Sequence, residues 1–162
     1  MISTKIRFLL LSSSLMGLGL GCTGVPLRPD GLPGPQKCPS EALEAMEAWG
    51  IAPGDTASIV INTNKYAQAP VTLSDGPVEG YLVHALGALP AWTLLYGHIW
   101  AGNGSAIVIR YYEIRFRQGG RYPFCGVVLN RDGDLNRRPG SPPGVGIIKD
   151  NSGILQAVTA FH

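Results

Sequence analysis

Four arginines, Arg110, Arg115, Arg117 and Arg121, crowd into one short stretch with Tyr111, Tyr112 and Tyr122 interleaved. Cations among aromatic rings are the residue types that hold anionic sugars or nucleic acid: the charge meets the negative groups and the rings stack on the ligand. The polar face of an ordinary antiparallel strand has the same composition, so both readings stand. Asp132-Gly133-Asp134-Leu135-Asn136 spaces its side-chain oxygens like the start of a calcium loop. Arg137 stands where such a loop needs glycine, and Pro143 where it needs a bidentate glutamate. Arg131, Arg137 and Arg138 repel a cation there, which favours an exposed polar loop. His84, His98 and His162 have no partner at metal-ligand spacing, so they read as structural, and no metal or cofactor is expected. No Gly-x-Ser-x-Gly turn and no phosphate loop occurs, and no residue is nominated as catalytic.

The elements that must position the arginines are mostly strands. Residues 106–117 form the strongest candidate, with Tyr112, Ile114 and Phe116 alternating against Glu113, Arg115 and Arg117. Gly119-Gly120 turns the chain into 122–129, which makes residues 106–129 a hairpin. Shorter strands are expected at 57–62, 71–73, 78–86, 92–101, 145–149 and 154–161, with a polar loop at 130–144. One helix precedes them all. Cys38 or Ser40 can cap it, Glu41 and Glu44 suit its N-terminal end, and Leu43, Met46 and Trp49 give it one apolar stripe. Gly50 ends it. The expected fold is mainly β: a small antiparallel barrel or sandwich of six to eight strands with one N-terminal α-helix, spanning residues 38–162.

The N-terminus has a different character. Lys5 and Arg7 precede an apolar run from Phe8 to Leu20, too short to span a bilayer, and small residues follow. Residues 1–21 therefore read as a signal peptide. Leu18-Gly19-Leu20-Gly21-Cys22 resembles the lipobox of bacterial lipoproteins, with Leu20 larger than the usual residue at its position. The resemblance implies cleavage before Cys22 and lipid on its thiol and its new amino group, several acyl chains holding where one holds weakly. An ordinary secreted protein with a stray cysteine is the alternative. Thr23 and Gly24 are neutral, and in lipoproteins the absence of Asp after the lipidated cysteine favours the outer membrane, facing the periplasm. Residues 22–37, rich in proline and glycine, read as a tether that cannot pack regularly.

Setting Cys22 aside leaves Cys38 and Cys125 of the three cysteines. In an oxidising compartment they are expected to pair. Metal binding by the two is the weaker alternative, since no second ligand pair is near.

Of 13 basic side chains, Lys5 and Arg7 leave with the signal peptide, so 11 remain against 11 acidic ones. A chain so balanced gives no global argument for nucleic acid. Residues 22–100 are predominantly acidic and 101–162 predominantly basic. That asymmetry fits either complementarity between neighbouring elements or a basic patch facing anionic envelope material.

Two stretches resemble known families. Cys38-Pro39, Glu41, Ala45-Met46-Glu47, Gly50-Ile51 and Pro53-Gly54-Asp55, with a later cysteine in Tyr122-Pro123-Phe124-Cys125, resemble a small domain of myxobacterial lipoproteins. The same domain occurs in some proteins labelled serine/threonine kinases. The resemblance covers most of residues 38–162, and the family has no assigned function. The kinase label does not carry over, because the chain has no Gly-rich loop, His-Arg-Asp or Asp-Phe-Gly. Leu89-Pro90-Ala91-Trp92-Thr93, ahead of the strand 110–116, looks like the Leu-Pro-Ala-Gly-Thr turn in the barrel of conjugation and type IV secretion channel proteins, with Trp92 replacing the glycine. It implies a fold and no activity. The functional expectation is a lipid-anchored, non-enzymatic envelope lipoprotein. Its partners are the bilayer through Cys22 and an envelope protein or anionic polymer, not nucleic acid. An accessory part of a secretion or motility complex and an envelope-polymer hydrolase are the alternatives.

Overall fold

The computed structural model describes residues 24–65, 69–130 and 133–162. The expected signal peptide 1–21 and the lipid-bearing Cys22 lie outside the described residues, as do Arg131 and Asp132 of the polar loop. In chain order the elements are β1 (Gln36–Lys37), α1 (Ser40–Ala48), β2 (Thr56–Val60), β3 (Val71–Ser74), β4 (Gly76–Leu82), β5 (Leu94–Trp100), β6 (Ala106–Arg115), β7 (Arg121–Asn130), β8 (Gly133–Asn136), β9 (Val145–Ile148), β10 (Ser152–Ala157) and β11 (Ala160–Phe161). The chain is mainly β with a single α-helix, as expected. Six strands, in the order β10-β2-β4-β5-β6-β7, close into an antiparallel barrel because β7 pairs back onto β10. Leu155 faces Ala57 on one side and Val128 on the other. β3 pairs with β9, and β1 with β11, outside the barrel.

Alternation explains the core. Ile107, Ile109 and Tyr111 on β6 point inward with Leu95 and Ile99 of β5, Val128 of β7 and Leu155 of β10, all nearly inaccessible. Burying each large aliphatic contributes about 1.5–3 kcal/mol. The expected alternation that groups Tyr112 with Ile114 fails at a bulge. Tyr96 pairs with Glu113 and Gly97 with Tyr111, so Tyr112 has no partner on β5. The extra residue flips the face, which turns Tyr111 inward and Tyr112 outward. Gly97 permits it, since a Cβ there would overlap the Arg110 carbonyl. Inside the barrel the Tyr111 hydroxyl donates to the Ile61 carbonyl at 2.6 Å.

The helix starts differently from expectation. Pro39 takes the N-cap position and no side chain caps it, because Cys38 is bonded elsewhere. Its end follows the sequence: Gly50 has φ +66°, and the Ile51 and Gly50 amides donate to Met46 and Glu47. Ala42 and Met46, one turn apart, are its buried pair, with Leu43 and Trp49 half covered beside them. The helix lies on β7. Cys38, just before α1, forms a disulfide with Cys125 of β7, with Cα atoms 6.1 Å apart and a sequence separation of 87.

Two further expectations are corrected. The polar loop 130–144 contains β8, which pairs with the end of β7 and the start of β6. Its one apolar residue, Leu135, is buried, and the surrounding Gly, Asp and Asn residues conceal so short a strand from periodicity. The segment read as a free tether also packs. Residues 26–34 fold into a tight loop, with Gly34 N donating to Pro26 O at 2.8 Å and Arg28 N to Leu32 O at 2.8 Å. Leu32, Pro33 and Gly34 are buried, and β1 follows at once. Proline brings no amide that needs a partner, so such a segment can be buried without a regular ladder.

Two predictions follow from this frame. Replacing both Cys38 and Cys125 by Ala will lower stability by about 2–5 kcal/mol, measured by urea unfolding against the oxidised wild type. Burial holds the Tyr111 phenol neutral far above its ordinary value near 10.0. The unfolded chain ionises first, so the stability Tyr111 contributes is intact below about pH 10 and is lost as pH rises beyond it. Urea unfolding between pH 9 and 11 will show a steeper loss for wild type than for Tyr111→Phe.

Candidate functional site

The hairpin of β6 and β7 carries the predicted arginines but does not gather all four. Gly119 (φ +103°) and Gly120 (φ +95°) make its turn, and the Phe116 and Gly119 amides close it on Gly120 and Phe116 carbonyls. Arg117 and Arg121 stand exposed at this end. Among the described residues neither makes an ion pair. Arg115 faces Arg121 across the ladder. It bonds Glu113 and lies over the Tyr96 ring, its guanidinium carbon 3.6 Å from the centroid. The Glu113 contact raises the Arg115 pKa above its ordinary value.

Arg110 has another task, and its assignment to a ligand site is corrected. It is 1 % exposed. Its Nη2 donates to the backbone oxygens of Gly34 at 3.0 Å and of Pro33 and His162 at 3.4 Å. The guanidinium carbon lies 4.7 Å from the Phe161 ring centroid and 5.7 Å from that of Trp100. Among the described residues no carboxylate pairs with it. Burial lowers its pKa, against which the nearby Tyr112 favours the charge without reaching good hydrogen-bond geometry. A guanidinium fits this place because one of its nitrogens, Nη2, reaches several carbonyls while its faces rest on rings, although Nη1 is buried without a hydrogen-bond partner among the described residues. Arg110 is thus a clasp between the first and last segments of the domain.

The sequence reading set Tyr122 among the hairpin arginines but missed Trp49, Phe116 and Trp92 around the hairpin tip. Trp49, at the end of α1, lies 5.2 Å from Phe116 and 5.5 Å from Tyr122, centroid to centroid, and Phe116 and Tyr122 are 5.8 Å apart. These three rings floor a groove of 430 Å³. One wall is residues 117–119 of the hairpin turn, and the other is the turn 90–93. Among the described residues no carboxylate lines the groove. The 90–93 turn is held by Thr93 Oγ1 donating to Pro90 O at 2.8 Å and by Trp92 N donating to Leu82 O at 2.7 Å. Trp92 has φ +70°, the one positive value at a non-glycine residue among those described. A bulky side chain in that region is strained by about 1–3 kcal/mol, and such strain clusters at functional positions. Its indole stacks on Tyr81, at 4.9 Å and 25° between planes, yet Trp92 remains 55 % exposed. One face of the indole is backed and the other is open.

The remaining candidates do not assemble. His98 packs against Trp100 at 4.4 Å, and burial lowers its pKa while Asp75 partly opposes this. Among the described residues no group of His, Cys, Asp and Glu could hold a metal. Arg137, which breaks the calcium-like spacing, points its Nη1 at the carbonyls of Gly102 and Pro142, each at 3.2 Å, and so organises the loop. A larger cavity, of 680 Å³, opens beside Ile59, Asn136, Ile148, Lys149 and Ile154. Among the described residues no aromatic ring lines it.

No family model matches the chain, and no curated protein matches it.

The clasp is testable by proteolysis. Arg110→Met leaves buried carbonyls without donors, at about 1–3 kcal/mol. Limited trypsin cleavage after Lys37, followed by mass spectrometry, will accelerate about tenfold or more, since cutting follows the opened population. Arg117→Gln will leave that rate unchanged.

Proposed function

We propose that the chain is a lipid-anchored lipoprotein of the bacterial envelope whose barrel is a non-enzymatic binding module, with the aromatic groove at the hairpin tip as its site. The observation that carries this reading is Trp92. It is a large apolar ring left half-exposed, backed by Tyr81, and held in a strained backbone at the mouth of the groove. Support for the address comes from the lipobox-like run ending at Cys22 and from the Cys38–Cys125 disulfide, which suits an oxidising compartment. The groove offers stacking surface and a cation, which are means of holding a ligand rather than of cleaving one.

The test uses the full-length protein made in a Gram-negative host. Labelled palmitate will enter the wild type and not Cys22→Ser. The detergent-solubilised lipoprotein will co-sediment with isolated cell-wall polymer, and Trp92→Ala will reduce the pelleted fraction about tenfold, as loss of one stacking contact of about 1–3 kcal/mol requires. Pelleting that is equal for both forms would remove the groove from the account.

A further inference from the structure

Resting on that reading of the groove, we infer that its ligand is an acidic polysaccharide, one sugar ring lying on Trp92 with its carboxylate directed to Arg117. The shape argues for a sugar. The exposed indole face is flat and rigid, because the ring is backed by Tyr81 and its backbone is fixed by the hydrogen bond that the Trp92 amide donates to the Leu82 carbonyl. A pyranose presents a face of C–H bonds that packs on such a ring while its hydroxyls stay in water. The floor of Trp49, Phe116 and Tyr122 continues the apolar surface beyond Trp92, and Gln118 adds a polar group at the edge. A groove open along its length suits a polymer better than a small molecule enclosed on all sides.

The charge argues for an acid. Among the described residues Arg117 is the one charged side chain lining the groove. It is exposed, and among the described residues it makes no ion pair, so its guanidinium is available to a ligand. Arg121 and Arg115 form a cross-strand pair at the same hairpin end, and Glu113 is the single carboxylate set against them on that hairpin. Three cations against one anion give this end a local excess of positive charge although the mature chain is close to neutral. A carboxylate meets a guanidinium through two parallel hydrogen bonds, which fixes the orientation of the sugar as well as its sign.

The experiment is a titration of the full-length lipoprotein in detergent with hexagalacturonate, and with cellohexaose as a neutral probe of equal length, followed by tryptophan fluorescence and calorimetry. Hexagalacturonate will bind and cellohexaose will bind at least tenfold more weakly. Trp92→Ala and Arg117→Gln will each weaken the acidic probe tenfold or more, and salt at about 0.5 M will weaken it too, because an exposed charge contact is screened. Arg117→Gln is a surface change that leaves the barrel intact, so its effect cannot be attributed to misfolding. Equal affinity for the two probes overturns the acidic ligand, as does binding of hexagalacturonate that ignores Arg117→Gln. Failure of both probes to bind also overturns the inference. Continued pelleting with cell-wall polymer through Trp92 would then show that the groove still binds, with a different occupant.

Discussion

The barrel depends on one short strand that is bonded on both sides. β10 pairs with β2 along one edge and with β7 along the other, and it alone joins the first strand of the sheet to the hairpin. The contact with β7 requires close approach. A Cβ on Gly153 would lie 2.6 Å from Val128 Cγ1, and one on Gly126 2.6 Å from Leu155 Cδ1. The glycines let neighbouring large side chains fill the interior where two strands come together. Closure also removes the open edges that would otherwise invite pairing with another chain. Everything at the hairpin tip is positioned relative to this closed ring, because β6 and β7 are fixed by it along their length.

Closure constrains the helix in turn. α1 lies on β7 and is tied there at its start by Cys38 and at its end by the ring contacts of Trp49. The connection after β4 is joined to the same place, since Ala88 N donates to Trp49 O at 2.7 Å. A Cβ on Gly87 would collide with that carbonyl. The end of the helix, the hairpin turn and the loop before β5 are therefore mutually fixed, and the groove they border is formed without any rearrangement. Preorganisation of this kind reduces the entropy that binding costs.

Much of the fold is legible in the sequence because its signals are local. Ile107, Ile109 and Ile114 advertise a strand, Gly119-Gly120 a turn and Gly50 a helix end. What remains hidden is set by contacts between distant segments. The bulge that turns Tyr111 inward arises from the approach of Gly97 to Arg110, and no alternation rule contains it. Arg110 looks like its neighbours Arg115 and Arg117 until the segments around Gly34 and His162 are placed over it. The groove has a fainter trace. Trp92, the one departure from a Leu-Pro-Ala-Gly-Thr pattern, stands at the position whose backbone is left-handed, where glycine would be free of strain. Trp49 and Phe116 gave no such sign, because the helix stripe and the strand alternation accounted for them as core.

The packed loop at residues 26–34 alters how far the domain can travel. With the lipid on Cys22, as proposed, only residues 22–25 separate the bilayer from Pro26, whose carbonyl is already bonded to Gly34. Four extended residues reach at most about 14 Å. A free leash over residues 22–37 would let the barrel sweep a wide volume, whereas a lipid on Cys22 would keep it within touching distance of the headgroups. The longest strands hold 10 residues, about 33 Å of extended chain. Any polymer the barrel holds must therefore pass within roughly one molecular length of the membrane surface, so the clasp at Arg110 acts as the ruler that sets that spacing.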